Sequence, residues 1–154
     1  MNGSGARSVL ARLTLPGLEA FIPCARRCVV DAVAVSGCWA IGDLPVLVSE
    51  LVTNAVKHTA SGRPGGVLDV LVSERGGTCG ERLLRVEVVD CGSSSVPVAR
   101  EPTDFGSGGR GLWIVQSLAE TWGFWKAGGK QGVWFELRAD AGTERRAAGP
   151  EWGE

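Results

Sequence analysis

The segment from Asp43 to His58 constrains this chain most. Leu44, Leu47, Val48, Leu51, Val52, Ala55 and Val56 recur at three- and four-residue spacing, which predicts a helix with one apolar face. A helix striped in this way must lay that face on a second layer, so a fibre or a fully solvated chain is excluded. Asp43 is placed to cap its start. The opposite side carries Glu50, Asn54, Lys57 and His58, each three or four residues from a neighbour, so their side chains share one face over adjacent turns. A carboxylate, an amide, an ammonium and an imidazole then reach a common point from a rigid element. The plainer alternative is a solvated helix surface.

The flanking patterns supply the second layer. Val9, Leu10, Leu13 and Leu15 predict a short strand ended by Pro16-Gly17, and Leu18 to Val33 predicts a helix stopped by Gly37, with Cys24 and Cys28 half-buried on it. Residues 67–73 and 83–89 read as paired strands. In the second of these Leu84, Val86 and Val88 alternate with Arg85 and Glu87, and the same period puts Asp90 on the apolar face. A carboxylate thus ends a core face, unless Asp90 only serves a turn. Residues 91–109 read as a long loop, a third helix starts near Arg110 with Leu112, Val115, Leu118 and Ala119, and strands at 124–126 and 133–138 close the domain. The order predicts an α+β fold, a two-layer α/β sandwich with a mixed sheet covered on one face by helices. One domain spans 8–139, with flexible tails at 1–7 and 140–154.

Charge and cysteine content narrow the function. Sixteen Lys and Arg against 17 Asp and Glu give a net charge of −1, which argues against direct nucleic-acid binding. The N-terminus lacks a signal core and the apolar run near 28–41 is broken by Asp31, Ser36 and Gly37, so no membrane span and a cytoplasmic location are expected. Five cysteines without a CxxC pair fit neither a disulfide framework nor a zinc ribbon. His58 is the sole histidine, which disfavours a metal site built on it. Trp113, Trp122, Trp125 and Trp134 read as core residues, some of them free to form a partner surface.

Twenty-three glycines are about twice the usual share of ~7%, and Gly106, Gly108, Gly109 and Gly111 cluster. The string G-x-G-x-x-G is matched, but no strand directly precedes it and position 131 is Gln, so a dinucleotide fingerprint fails. A P-loop fails too. What survives is a set of bare backbone N–H groups at a helix start beside Arg110, which suits phosphate, or else a merely flexible loop. Taken together, Asn54 offers an oxygen to a hard cation, Asp90 an acceptor to an exocyclic amine, and the glycine cluster donors to phosphate. A Mg-nucleotide needs all three.

Ser49-Glu50-Leu51-Val52-Thr53-Asn54-Ala55-Val56-Lys57-His58 resembles the N box of the GHKL ATPase superfamily, Asp90-Cys91-Gly92 its first glycine box, and Gly106 to Val115 its second. Within the superfamily the chain looks like the anti-sigma factor serine/threonine kinases and related small actinobacterial ATP-binding regulators. The resemblance implies the histidine-kinase-like ATPase fold, ATP and Mg²⁺ as ligands, and Asn54 as the Mg²⁺ ligand. Glu50 would be the catalytic carboxylate, Asp90 would accept from the adenine amine, and Gly92 would admit the base. Lys57, His58 and Arg110 would face the nucleotide, with Gly106, Gly108, Gly109, Gly111 and Leu112 cradling phosphates and residues 93–109 forming a lid. Ser94 replaces the second glycine of the first box, and Gly132 stands beside Asp90 where many relatives carry Thr. The implied partners are a STAS-type anti-anti-sigma protein, phosphorylated on serine, and a sigma factor, and the class admits a homodimer. The alternative is a non-catalytic nucleotide-binding module that sequesters a protein partner.

Overall fold

The computed structural model describes residues 6–37, 41–76, 82–94, 97–99 and 110–139. Strand β1 (Ser8–Pro16) leads through a single 3-10 turn (Glu19–Phe21) to helix α1 (Ile22–Ser36) and helix α2 (Leu44–His58). A second 3-10 turn (Ala60–Gly62) precedes strands β2 (Val67–Gly76) and β3 (Arg82–Asp90), and helix α3 (Arg110–Leu118) precedes β4 (Thr121–Ala127) and β5 (Lys130–Ala139). Pro23 and Pro45 fall in the first turns of α1 and α2, where their missing N–H groups break no helical bond. Gly37 ends α1 in the left-handed conformation, φ 71°. Asp43 stands at the N-cap position of α2, yet its side chain makes no capping hydrogen bond.

The five strands order as β1-β2-β3-β5-β4, and all four pairings are antiparallel. The mixed sheet expected from the sequence is avoided by one detail of connectivity. The chain leaves β3 through α3 and returns as β4 two places away, and β5 turns back by a tight hairpin to fill the place between them. Two strands running the same way are therefore never neighbours.

Helices pack on one face of this α+β sandwich. Val29 and Val33 of α1, Leu44, Leu47, Val48, Leu51, Val52 and Ala55 of α2, and Leu112 and Val115 of α3 meet Leu68, Val70, Val72, Leu84, Val86, Val88, Val133 and Phe135 of the sheet. Each such side chain removed from water contributes roughly 1.5–3 kcal/mol, so the apolar stripe predicted for α2 is the centre of the core. Cys24 and Cys28 are exposed rather than half-buried, because the buried side of α1 follows Ala25, Val29 and Val33.

No described helix covers the other face of the sheet. There Trp134 lies over Gly123 and Trp125 over Gly132, each indole occupying the space of its cross-strand neighbour's missing side chain. Arg85 stacks 4.1 Å from the Trp134 ring centre, and Trp125 Nε1 donates to Glu87 at 2.6 Å. Trp122 instead packs against the core.

The end of α2 is joined to the sheet by backbone. Ser61 Oγ donates to the Val67 carbonyl at 2.6 Å and accepts from the Cys91 amide at 2.8 Å. The Ala60 amide donates to the Gly92 carbonyl at 2.9 Å and the Gly17 amide to Gly66 at 3.0 Å. A side chain on Gly17 or Gly66 would overlap the Ser61 carbonyl, so glycine is needed for this close approach.

Candidate functional site

The polar side of α2 is divided between two neighbourhoods. Glu50 and Asn54 are half-buried, and Glu50 faces the start of α3, where a Cβ on Gly111 would come 2.5 Å from its Oε2. Any side chain at 111 would displace that carboxylate or the helix start. Leu112 is buried in the core, which fixes the first turn of α3 against α2. Lys57 and His58, one turn beyond Asn54, are exposed, and Lys57 Nζ lies 4.0 Å from Glu19. Such an exposed pair contributes little and leaves the ammonium able to swing to a ligand.

The strand register places Asp90 as the period-two pattern predicted, on the core face and 3% exposed. Its Oδ1 accepts the Gly92 amide at 2.7 Å, while Oδ2 is buried with no hydrogen-bond partner. Burial pushes its carboxyl above the ordinary range. The Gly92 amide, a hydrogen bond from Gln131 and the charge of Lys126 oppose the shift without cancelling it. Gly92 has φ 86°, and a side chain there would come 2.6 Å from the Gly129 carbonyl. The chain itself therefore demands glycine at 92, whatever the ligand.

Sequence reasoning missed Gln131. Cross-strand pairing sets Asp90 opposite Gln131 and Val89 opposite Gly132. Gly132 thus faces away from the helices, under Trp125, and its expected place beside Asp90 belongs to Gln131. Gln131 is 2% exposed and its Oε1, like Asp90 Oδ2, is buried without a partner. The period-two pattern of Val133, Phe135 and Leu137, carried back one step, was the signal that finds it.

An open cleft of about 950 Å³ adjoins this pair at the His58 end of α2. Lys57, His58, Arg63, Lys126 and Lys130 line it around Gly92 and the β4–β5 turn, with no carboxylate among the lining residues. Lys126 Nζ donates to the Ser93 carbonyl at 2.8 Å across its wall. Neither Glu50 nor Asp90 lines this cleft, so the large opening and the buried acceptors are adjacent but distinct. The acceptors define the chemistry, since a buried oxygen without a donor costs about 1–3 kcal/mol until something donates to it.

These residues fit a nucleotide. Two buried acceptors suit an amino-substituted base, and the amide of Asn54 and the carboxylate of Glu50 lie further along the same helix towards the start of α3. Gly106, Gly108 and Gly109, the side chain of Arg110 and most of the expected lid lie outside the described residues. Among the described residues no group of three or more His, Cys, Asp or Glu side chains could hold a metal ion, and no helix is long and apolar enough to cross a membrane.

The family model for the histidine kinase-like ATPase domain matches residues 18–136, well over half of the chain. No curated protein matches it. The matched span contains α1 to α3 and nearly all of β2 to β5, and so every residue that builds the base end of the site.

Proposed function

This chain belongs to the histidine kinase-like ATPase domain family, and on that premise we propose that it is an ATP-binding anti-sigma factor of the serine/threonine kinase type. Its substrate is a small STAS-type anti-anti-sigma protein, and its other partner is a sigma factor. The observation that carries the nucleotide part is the buried Asp90 with a free acceptor oxygen, on the sheet beneath the helix that presents Asn54 and Glu50. Asp90 accepts from the adenine amine. Asn54 holds the Mg²⁺ that screens the phosphates, Lys57 and Arg110 face phosphate oxygens, and His58 lies at the nucleotide's edge. The start of α3 at Gly111 and Leu112, with Gly106, Gly108 and Gly109 before it, donates backbone N–H groups to the phosphates.

Glu50 orients the hydroxyl of the partner's serine and takes its proton. The serine oxygen then bonds to the γ-phosphorus as the bond to the leaving ADP oxygen breaks. Full-length protein incubated with radiolabelled ATP, Mg²⁺ and a STAS partner is expected to leave label on that partner. Glu50→Gln should lower transfer at least 100-fold while ATP binding, read by tryptophan fluorescence, stays within about twofold. Transfer retained in that variant would remove Glu50 from the reaction.

The second reading, a nucleotide-binding module that sequesters a partner without catalysis, is favoured by Ser94, which stands in place of the second glycine of the first glycine box. In that case ATP binds and the partner is captured, but no label is transferred by the wild-type protein.

A further inference from the structure

Asp90 and Gln131 are directly opposed on adjacent antiparallel strands, with both side chains on the face that the helices cover. Each is at least nine-tenths buried, and each keeps one oxygen without a donor, Oδ2 of Asp90 and Oε1 of Gln131. The Gln131 side chain also hydrogen-bonds the Asp90 carboxylate, so the two side chains are neighbours in the core. An ordinary core would replace such a pair with apolar residues, since a partly satisfied buried network is worse than none. Two neighbouring acceptors in need of donors are complementary to a group that carries two hydrogens on one atom.

We propose that Gln131 is a specificity-determining residue, and that its Oε1 acts with Asp90 Oδ2 to accept both hydrogens of the 6-amino group of the bound purine. The inference rests on the nucleotide reading above and deepens it. A single carboxylate acceptor is met by one N–H and tolerates a base that keeps only one. A pair of acceptors penalises a base that lacks either hydrogen, because one buried oxygen is then left unmet. A 6-oxo purine presents oxygen towards both acceptors and is rejected more strongly still. Trp125, which lies across Gly132 on the other side of β5, is placed to report occupancy by fluorescence.

The test is equilibrium binding of ATP, N6-methyl-ATP and ITP to the full-length protein with Mg²⁺, for wild type and Gln131→Met. Wild type is expected to bind N6-methyl-ATP about tenfold and ITP at least 100-fold more weakly than ATP. In Gln131→Met, whose side chain is of similar length and cannot accept in the same way, the ATP-to-ITP ratio should narrow about tenfold. A wild-type ratio retained by Gln131→Met, in a protein whose thermal unfolding is unchanged, overturns the role of Gln131 and leaves the nucleotide reading standing. If that variant does not fold, the methylated ligand decides on wild type alone, and equal binding of N6-methyl-ATP and ATP overturns the proposal. Failure of wild type to bind ATP at all overturns the nucleotide reading and this inference with it.

Discussion

The two faces of strand β5 bury polar groups in opposite ways. On the face away from the helices Glu136 is 6% exposed, and Arg7, Arg75 and Arg85 stand 3.8, 3.7 and 3.6 Å from its carboxylate. On the helix face Gln131 and its neighbour Asp90 are as deeply buried, and each keeps an oxygen with no donor. Arg75 Nε is also without a partner, but its guanidinium still reaches Glu136 through another nitrogen. Burial of a charged or polar side chain therefore does not mark a site. A carboxylate already compensated by three cations is accounted for by the fold alone, whereas a buried oxygen left for an outside donor is what the proposed nucleotide site uses.

The sharpest way to break this comparison is Asp90→Asn. The amide can still accept from Gly92, but its NH2 group then points where the free oxygen was, donor against donor. ATP affinity should fall about 100-fold, and thermal stability should not, since a buried charge has been removed. If stability falls in step with affinity, Asp90 is a structural residue like Glu136.

Glu136→Gln makes the converse test. It should lower unfolding stability by about 2 kcal/mol, less than for a fully enclosed pair because the three arginines are partly exposed and regain water. ATP affinity, measured by titration, should stay within about twofold. A large loss of binding would mean that the open face reaches the site.

The smallest effect is a dependence on pH. The Asp90 carboxyl is raised in the folded chain above its ordinary value of 3.8. Between those two values the folded chain holds a proton that the unfolded chain lacks, so this group's contribution to stability is greatest below the lower value. It is lost as pH rises through the window. Relative to Asp90→Asn, wild type should gain stability as pH falls through the raised value, while ATP binding weakens because the protonated oxygen no longer accepts. Denaturant unfolding of the two proteins across that range reads the difference, and parallel curves would contradict it.

Much of this arrangement was legible in the residues, for reasons that also explain what was not. The stripe of Leu44 to Val56 locates α2, and alternation along Leu84, Val86 and Val88 places Asp90 on the core face. Gln131 escapes the pattern because alternation places the last strand from Val133, whereas it starts at Lys130. Hairpin turns hide strand ends, since Gly128 and Gly129 serve the turn and the residues after them look like loop. A shift of one position then exchanged Gln131 for Gly132 and one face of the sheet for the other. Nor can helical spacing separate Glu50, which meets α3, from Lys57 and His58, which face a cleft. That division depends on neighbours far away in sequence.

The joint of Ser61, Gly17, Gly66 and the Cys91 amide has a consequence for ligand length. It is made largely of main-chain bonds, so the end of α2 and the end of β3 are fastened as one body. Eight residues of α helix separate Glu50 from His58, about 12 Å along the axis. The polar groups along α2 and the end of β3 that carries Asp90 are thus held in one fixed frame. On the nucleotide reading proposed above, a nucleoside with too few phosphates would span only part of this frame, so the domain would gauge the extent of its ligand as well as the identity of its base.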